Sequence, residues 1–255
     1  MSRHSKTKRI LNAFSGEVDV KVPRSWEELN QKELRYILLL VSQLRRTSEI
    51  MMLFFLRKAG MNPVKQVDET RWLMQCGRSQ CYVNVLDLEG AVSESGQLGW
   101  MMSPPALPIR LHFVQGKPAV DARLRRVSFG DWLKLEHAHQ NFLKYKTFSS
   151  LKLMAAILYP GVNQEKLDKV DMFNIVNWYS QVKVWFAKKW PHLFSGDGNA
   201  DGYNAEDIAN NMIRSLTGGD VLKEMAVLET IDVHRALNEL DCKARENEEL
   251  KAKMK

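Results

Sequence analysis

Apolar residues recur along most of this chain at spacings of three and four, the period of a helix with one buried face. Trp26, Leu29, Leu34, Ile37, Leu38, Val41 and Leu44 form the first such row, and Leu39 and Leu40 thicken it into a nearly all-round apolar segment. That pattern predicts a central core helix. Ser25 and Glu28 have the spacing at which each side chain bonds the other's backbone amide, so the helix is expected to begin there. Thr47 or Ser48 then caps a second helix through Ile50, Met51, Leu53, Phe54 and Phe55, stopped by Gly60 and Asn62-Pro63. Residues 23–64 therefore read as an antiparallel helical pair.

The period changes to two over residues 65–127. Trp72 to Cys76 and Cys81 to Val85 alternate around Gly77-Arg78-Ser79-Gln80, the signature of a hairpin. Ile109 to Val114 alternates more regularly and predicts a strand ended by Gln115-Gly116-Lys117-Pro118. Between them, residues 90–108 hold Ser93-Glu94-Ser95-Gly96 and Ser103-Pro104-Pro105, the composition of a loop or flap. A small β insert is the prediction.

Helical spacing returns at Ser128, an N-cap with Asp131 three residues on, for a helix from Phe129 to Tyr145. A helix over 149–158, ended by Pro160-Gly161, comes next. The most aromatic segment, 171–190, puts Met172, Ile175, Tyr179, Val182, Phe186 and Trp190 on one face, with Trp178 and Trp185 a heptad apart beside it. After Thr217-Gly218-Gly219, Asp220 caps a helix carrying Leu222, Met225 and Leu228, and a last helix carries Val233, Leu237, Leu240 and Ala244. Beyond Ala244 the apolar stripe meets Asn247 and Lys251 and ends. The fold class is mainly α, formally α+β: a helical domain with a small antiparallel β insert and a long C-terminal helix. Its segments are a basic tail and lead-in (1–22), the helical pair (23–64), the insert with its loop (65–127), a helical domain (128–216) and the C-terminal helices with a charged tail (217–255).

Composition adds limits. The chain has 255 residues, 45% of them hydrophobic, enough for a sizeable core. Its longest apolar run, Ile50 to Leu56, is far shorter than the roughly 20 residues a bilayer span needs, and no signal-peptide core is present, so a cytoplasmic protein without membrane partners is expected. Three cysteines make no disulfide framework and are expected as free thiols. The net charge is +7, and Arg3, Lys6, Lys8 and Arg9 gather four positive charges in the N-terminal tail. With Arg123, Arg125 and Arg126 they are candidate phosphate contacts for a nucleic acid. A solvated tail and a strand edge are the simpler readings of the same residues.

Other candidate chemistry is fragmentary. Asp197, Asn199 and Asp201 with Gly202 match the first half of a calcium loop, but position twelve, where a glutamate should close the site, is Ile208. A polar loop with Asn204 capping the next helix is the preferred reading of these residues, and no metal is expected. Cys76 and Cys81 make half a zinc site without a second pair. His137 and His139 point about 200° apart on a helix, which suits solvated or interfacial histidines better than a metal. No serine elbow, paired nucleophile or phosphate loop is visible, and no cofactor is expected.

Three stretches carry a resemblance: Ser128-Phe129-Gly130-Asp131-Trp132 on to Leu153-Met154-Ala155-Ala156-Ile157-Leu158-Tyr159-Pro160; Trp178 to Phe194, ending Lys188-Lys189-Trp190-Pro191-His192-Leu193-Phe194; and Thr217-Gly218-Gly219-Asp220-Val221 to Ala236-Leu237-Asn238-Glu239-Leu240. Together, over about half of the chain, they resemble tail-morphogenesis accessory proteins of Bacteroidetes phages and prophages, similar to tail-assembly chaperones. The resemblance implies a non-enzymatic protein of the bacterial host cytoplasm that engages another tail component, tube or tape measure, during assembly. Trp178, Trp185, Trp190, Leu222, Val233, Leu237 and Leu240 are the side chains expected to bind it.

Overall fold

The computed structural model describes residues 20–194 and 205–254, and the chain divides into two compact units, one ending at Ala106 and the other beginning at Leu107. Ten helices are described: α1 (Gln31–Ser42), α2 (Thr47–Lys58), α3 (Val85–Ser95), α4 (Phe129–Tyr145), α5 (Phe148–Leu158), α6 (Lys169–Lys189), α7 (Pro191–Phe194), α8 (Ala205–Thr217), α9 (Val221–Thr230) and α10 (Val233–Lys253). The strands are β1 (Met61–Gln66), β2 (Arg71–Cys76), β3 (Ser79–Asn84), β4 (Phe113–Val114) and β5 (Lys117–Pro118). The fold is thus mainly helical, with small antiparallel sheets and a long last helix. Among the described residues no helix is long and apolar enough to cross a membrane.

In the first unit, β1, β2 and β3 form a three-stranded antiparallel meander in that order. Cys76 pairs with Ser79 across a two-residue turn whose first member, Gly77, has φ +58°, a conformation that glycine adopts without strain. Asn62-Pro63, expected as a helix stop, lies inside β1. Proline has no amide to offer a ladder, which an edge strand tolerates, and the register shifts between Pro63 and Lys65. Phe54, Val83 and Leu88 are fully buried in the core shared by the helices and this sheet.

Three further expectations for this unit are corrected. Neither Thr47 nor Ser48 caps α2: its N-cap is Arg46, with no side-chain cap bond, and the Ser48 hydroxyl donates to Glu89. Ser25 caps no helix: Trp26–Glu28 is a single 3-10 turn, and Glu28 accepts instead from the Arg24 amide. The capping box belongs to Asn30, which accepts from the Lys32 and Glu33 amides while Glu33 accepts from the Asn30 amide. Trp26 packs edge-on against Trp100, 4.9 Å between centroids, and donates its indole N–H to Ser103 O; Trp100 donates to Pro23 O. The stretch 90–108 is not a loop throughout. Asn84 caps α3, Leu88 and Val92 bury its inner face, and Gly96 at φ +67° ends it.

In the second unit Ser128 caps α4 by accepting from the Asp131 amide, and a capping box of Asp168 and Asp171 opens α6. The expected strand over 109–114 shrinks to Phe113–Val114, paired with Lys117–Pro118. Side chains take the place of a ladder upstream: the Leu111 amide donates to Asn174 Oδ1 at 2.9 Å, and the Leu111 carbonyl accepts from Tyr159 Oη at 2.7 Å. Asn174 in turn donates to the Tyr159 hydroxyl. Burial pushes the Tyr159 phenol up to about 12, so it remains a donor.

The C-terminal helices are bound to the start of α4. The Phe129 amide donates to Ile231 O and the Val233 amide to Val127 O, at 2.8 and 3.0 Å, with Ser128 and Asp232 bridged between them. α9 crosses α4 at Gly130, where a side chain's first carbon would lie 2.8 Å from the Leu228 carbonyl oxygen. Glycine is required there by the approach of two backbones, not by its dihedral angles.

Candidate functional site

Five of the residues expected to meet a partner are core instead. Trp178, Val233 and Leu237 are fully buried, and Trp190 and Leu240 nearly so. Helical spacing marks a face that needs covering, and here the second unit covers it: Trp178 donates its indole N–H to Ala122 O and meets Tyr159 edge-on. Val233, Leu237 and Leu240 are the inward row of α10. Only Leu222 and Trp185 retain access to solvent, Leu222 being 92% exposed and Trp185 half-buried.

Leu222 belongs to an apolar surface on α9. Val221 and Met225 flank it, 77% and 69% exposed, on one side of the helix, while Val227 is buried on the other. Asp220 caps this helix by accepting from the Leu222 amide, and Gly218 and Gly219, both at positive φ, make the preceding bend. A cleft of about 320 Å³ between α8 and α9, lined by Ile213, Arg214, Thr217, Gly219, Val221 and Glu224, adjoins it. Large apolar side chains are thus presented to water by a helix whose other face is fixed to the fold.

Trp185 lies in a second cluster, where cations gather around aromatic rings. The His234 ring is 5.4 to 5.7 Å from Trp185, Phe186 and Trp190. Lys189 Nζ sits 5.1 Å from the Trp185 centroid and 4.4 Å from that of Trp190, and the Arg123 guanidinium is 5.7 Å from Trp185. Lys189 Nζ donates to His234 Nδ1 at 3.1 Å, which leaves the His234 proton on Nε2, donating to Arg123 O at 2.6 Å. The imidazole is therefore neutral, and its pKa is lowered: burial is the largest cause, and the charges of Lys189 and Arg125 add to it against the Arg123 carbonyl bond and Asp232. Lys189 is also pulled below the usual lysine value, by partial burial and then by Arg125 and Arg123, against Asp232.

The arginines stand on a tight turn and not on a strand edge. Leu124 and Arg126 have φ of +61° and +65°, and Asp121 accepts from the Arg123 and Arg125 amides. Asp232 accepts from the Arg126 and His234 amides, joining the turn to α10. The structure thus brings Arg123 and Lys189 to Trp185, with Arg125 two residues along the same turn and its charge felt at Lys189. His234 was not legible as part of this set, since its bond to Arg123 spans 111 positions. The tail cations Arg3, Lys6, Lys8 and Arg9 and the calcium candidates Asp197, Asn199 and Asp201 lie outside the described residues.

Other polar groups form local networks, while the buried Trp132 Nε1 and His139 Nδ1 have no hydrogen-bond partner among the described residues. Glu136 accepts from Lys183, Gln140 and Tyr179; burial raises its pKa, but the Lys183 charge and these bonds outweigh burial and leave it low. His139, expected as a solvated or interfacial residue, is buried and bonded to Ser180, while His137 is exposed and accepts from Asn141. Cys76, Cys81 and Cys242 are free thiols, and burial, with Cys76 adding, pushes Cys81 up. Among the described residues no three of His, Cys, Asp and Glu converge as a metal site requires. No family model, no curated protein and no solved structure matches this chain.

Proposed function

We propose that this chain is a non-enzymatic accessory of phage or prophage tail assembly, acting in the cytoplasm of the bacterial host by binding another tail protein through α9. The observation that carries the reading is the exposed apolar surface of Val221, Leu222 and Met225 on a capped helix. Apolar area left in water forgoes about 25 cal/mol per Å², which association with an apolar partner face recovers. The motif resemblance of residues 128–160, 178–194 and 217–240 supplies the kind of partner, a tube or tape-measure protein. Self-satisfied polar networks at Glu136 and Tyr159 suit a scaffold.

The experiment is affinity capture with the tagged chain from an induced lysogen, with captured proteins identified by mass spectrometry. A tail tube or tape-measure protein is expected, and Leu222→Asp with Met225→Asp should abolish capture while leaving the unfolding midpoint unchanged. Recovery of no tail protein, or capture indifferent to the double variant, counts against the reading.

A further inference from the structure

We infer that the surface formed by Arg123, Arg125 and Lys189 around Trp185 is an anion site that takes the phosphate backbone of a nucleic acid. It is separate from the α9 surface and does not depend on it. Among the described residues none of these three cations makes an ion pair. Like charges gathered in a partly desolvated place repel, and an anion removes that cost.

The two nearby carboxylates do not supply this anion. Asp121 is turned to the Arg123 and Arg125 amides, and Asp232 to those of Arg126 and His234. Both serve to fix the turn on which the arginines stand. The cations are also held in place before any ligand arrives: Lys189 by His234 Nδ1 and two indole faces, Arg123 by Trp185 and by the bond its carbonyl accepts from His234. Guanidinium groups at two alternate positions of one turn, with an ammonium beside them, suit phosphates repeated along a backbone. Direct reading of bases is not implied by this geometry, so the contact is independent of sequence.

The test measures binding of a fluorescently labelled single-stranded oligonucleotide and of its duplex by anisotropy, at several salt concentrations, using the full chain. The wild type is expected to bind at low salt. Arg123→Gln with Arg125→Gln and Lys189→Gln should weaken binding at least tenfold and reduce the slope of log K against log salt by about 2 to 3, since roughly 0.7 to 0.9 of a counterion is released per phosphate neutralised. Arg125→Lys alone should retain most of the affinity, and an unchanged urea midpoint shows that the triple variant folds. Deleting residues 1–9 provides the contrast: binding lost with the tail and untouched by the triple variant overturns the inference. So does polyglutamate competing as well as DNA at equal charge, which would assign the site to an acidic protein. Absence of binding at low salt overturns it as well.

Discussion

Gly130→Ala adds one methyl group to the first turn of α4, at the point where α9 crosses it. That carbon would lie 2.8 Å from the Leu228 carbonyl oxygen and 3.2 Å from Leu228 Cβ, where ordinary contact begins at 3.4 Å. The obstacle is backbone, so no side chain can swing clear, and α9 has to withdraw by roughly 0.6 Å. Withdrawal pulls on the Phe129 to Ile231 and Val233 to Val127 bonds that anchor the next residues. Overpacking of this kind costs about 1–3 kcal/mol, while the better helix propensity of alanine returns at most about 1 kcal/mol. A net loss of about 1 kcal/mol in the second unit corresponds to roughly 2–4 °C in midpoint. Gly90→Ala is the matched control: it lies inside α3, a Cβ there meets nothing within 4 Å, and a gain of up to about 1 kcal/mol in the first unit is expected. Scanning calorimetry of both variants measures the two effects. A Gly130→Ala protein as stable as the wild type would refute the argument that α9 is seated by backbone contact.

Three further outcomes are expected. Tyr159→Phe leaves the Leu111 carbonyl and the Asn174 amide without their buried partner and should cost about 1–3 kcal/mol in urea unfolding; a neutral result would show that the segment near Leu111 is held otherwise. Leu237→Asp with Leu240→Asp places two carboxylates in the core and should abolish cooperative unfolding of the second unit, whereas ending the chain after Arg245 removes exposed side chains and should change the midpoint by less than about 1 kcal/mol. His139 and His234 both have pKa values lowered, in each case chiefly by burial, so the folded chain holds them neutral. As pH falls through the ordinary value of 6.5 the unfolded chain gains protons that the folded one refuses, so stability should decline below about pH 6.5 and be level above it. A midpoint that rises between pH 7 and 5.5 contradicts those assignments.

Some capped ends were legible from the chain alone, while the Asn30 and Asn84 caps were not. Ser128 and Asp220 open helices at the positions their side chains indicate, and Gly77 places the hairpin. Misreadings arose where a local pattern lost to a distant partner. Ser25 and Glu28 have capping spacing, but Trp26 is drawn to Trp100, and the alternation near Leu111 is broken by Tyr159 and Asn174. Composition hid α3, because Gly90 and the serines near its end resemble a loop, although Leu88 and Val92 keep a helical spacing. For the candidate site, periodicity shows that a face must be covered and not by what. Trp178 and Leu237 satisfy that need within the fold, while Leu222 and Met225 do not.

The bonds that tie residues 127–129 to 231–233 also set a schedule for biogenesis. They join positions roughly 100 residues apart, and a ribosome adding about 5–20 residues per second needs roughly 5–20 s to deliver the second set. The first unit is built from chain ending at Ala106 and can close within that interval. Phe186 and Trp190 emerge before His234 exists to pack against them. The nascent second unit is therefore the part that depends on protection from aggregation, until its last helix is released.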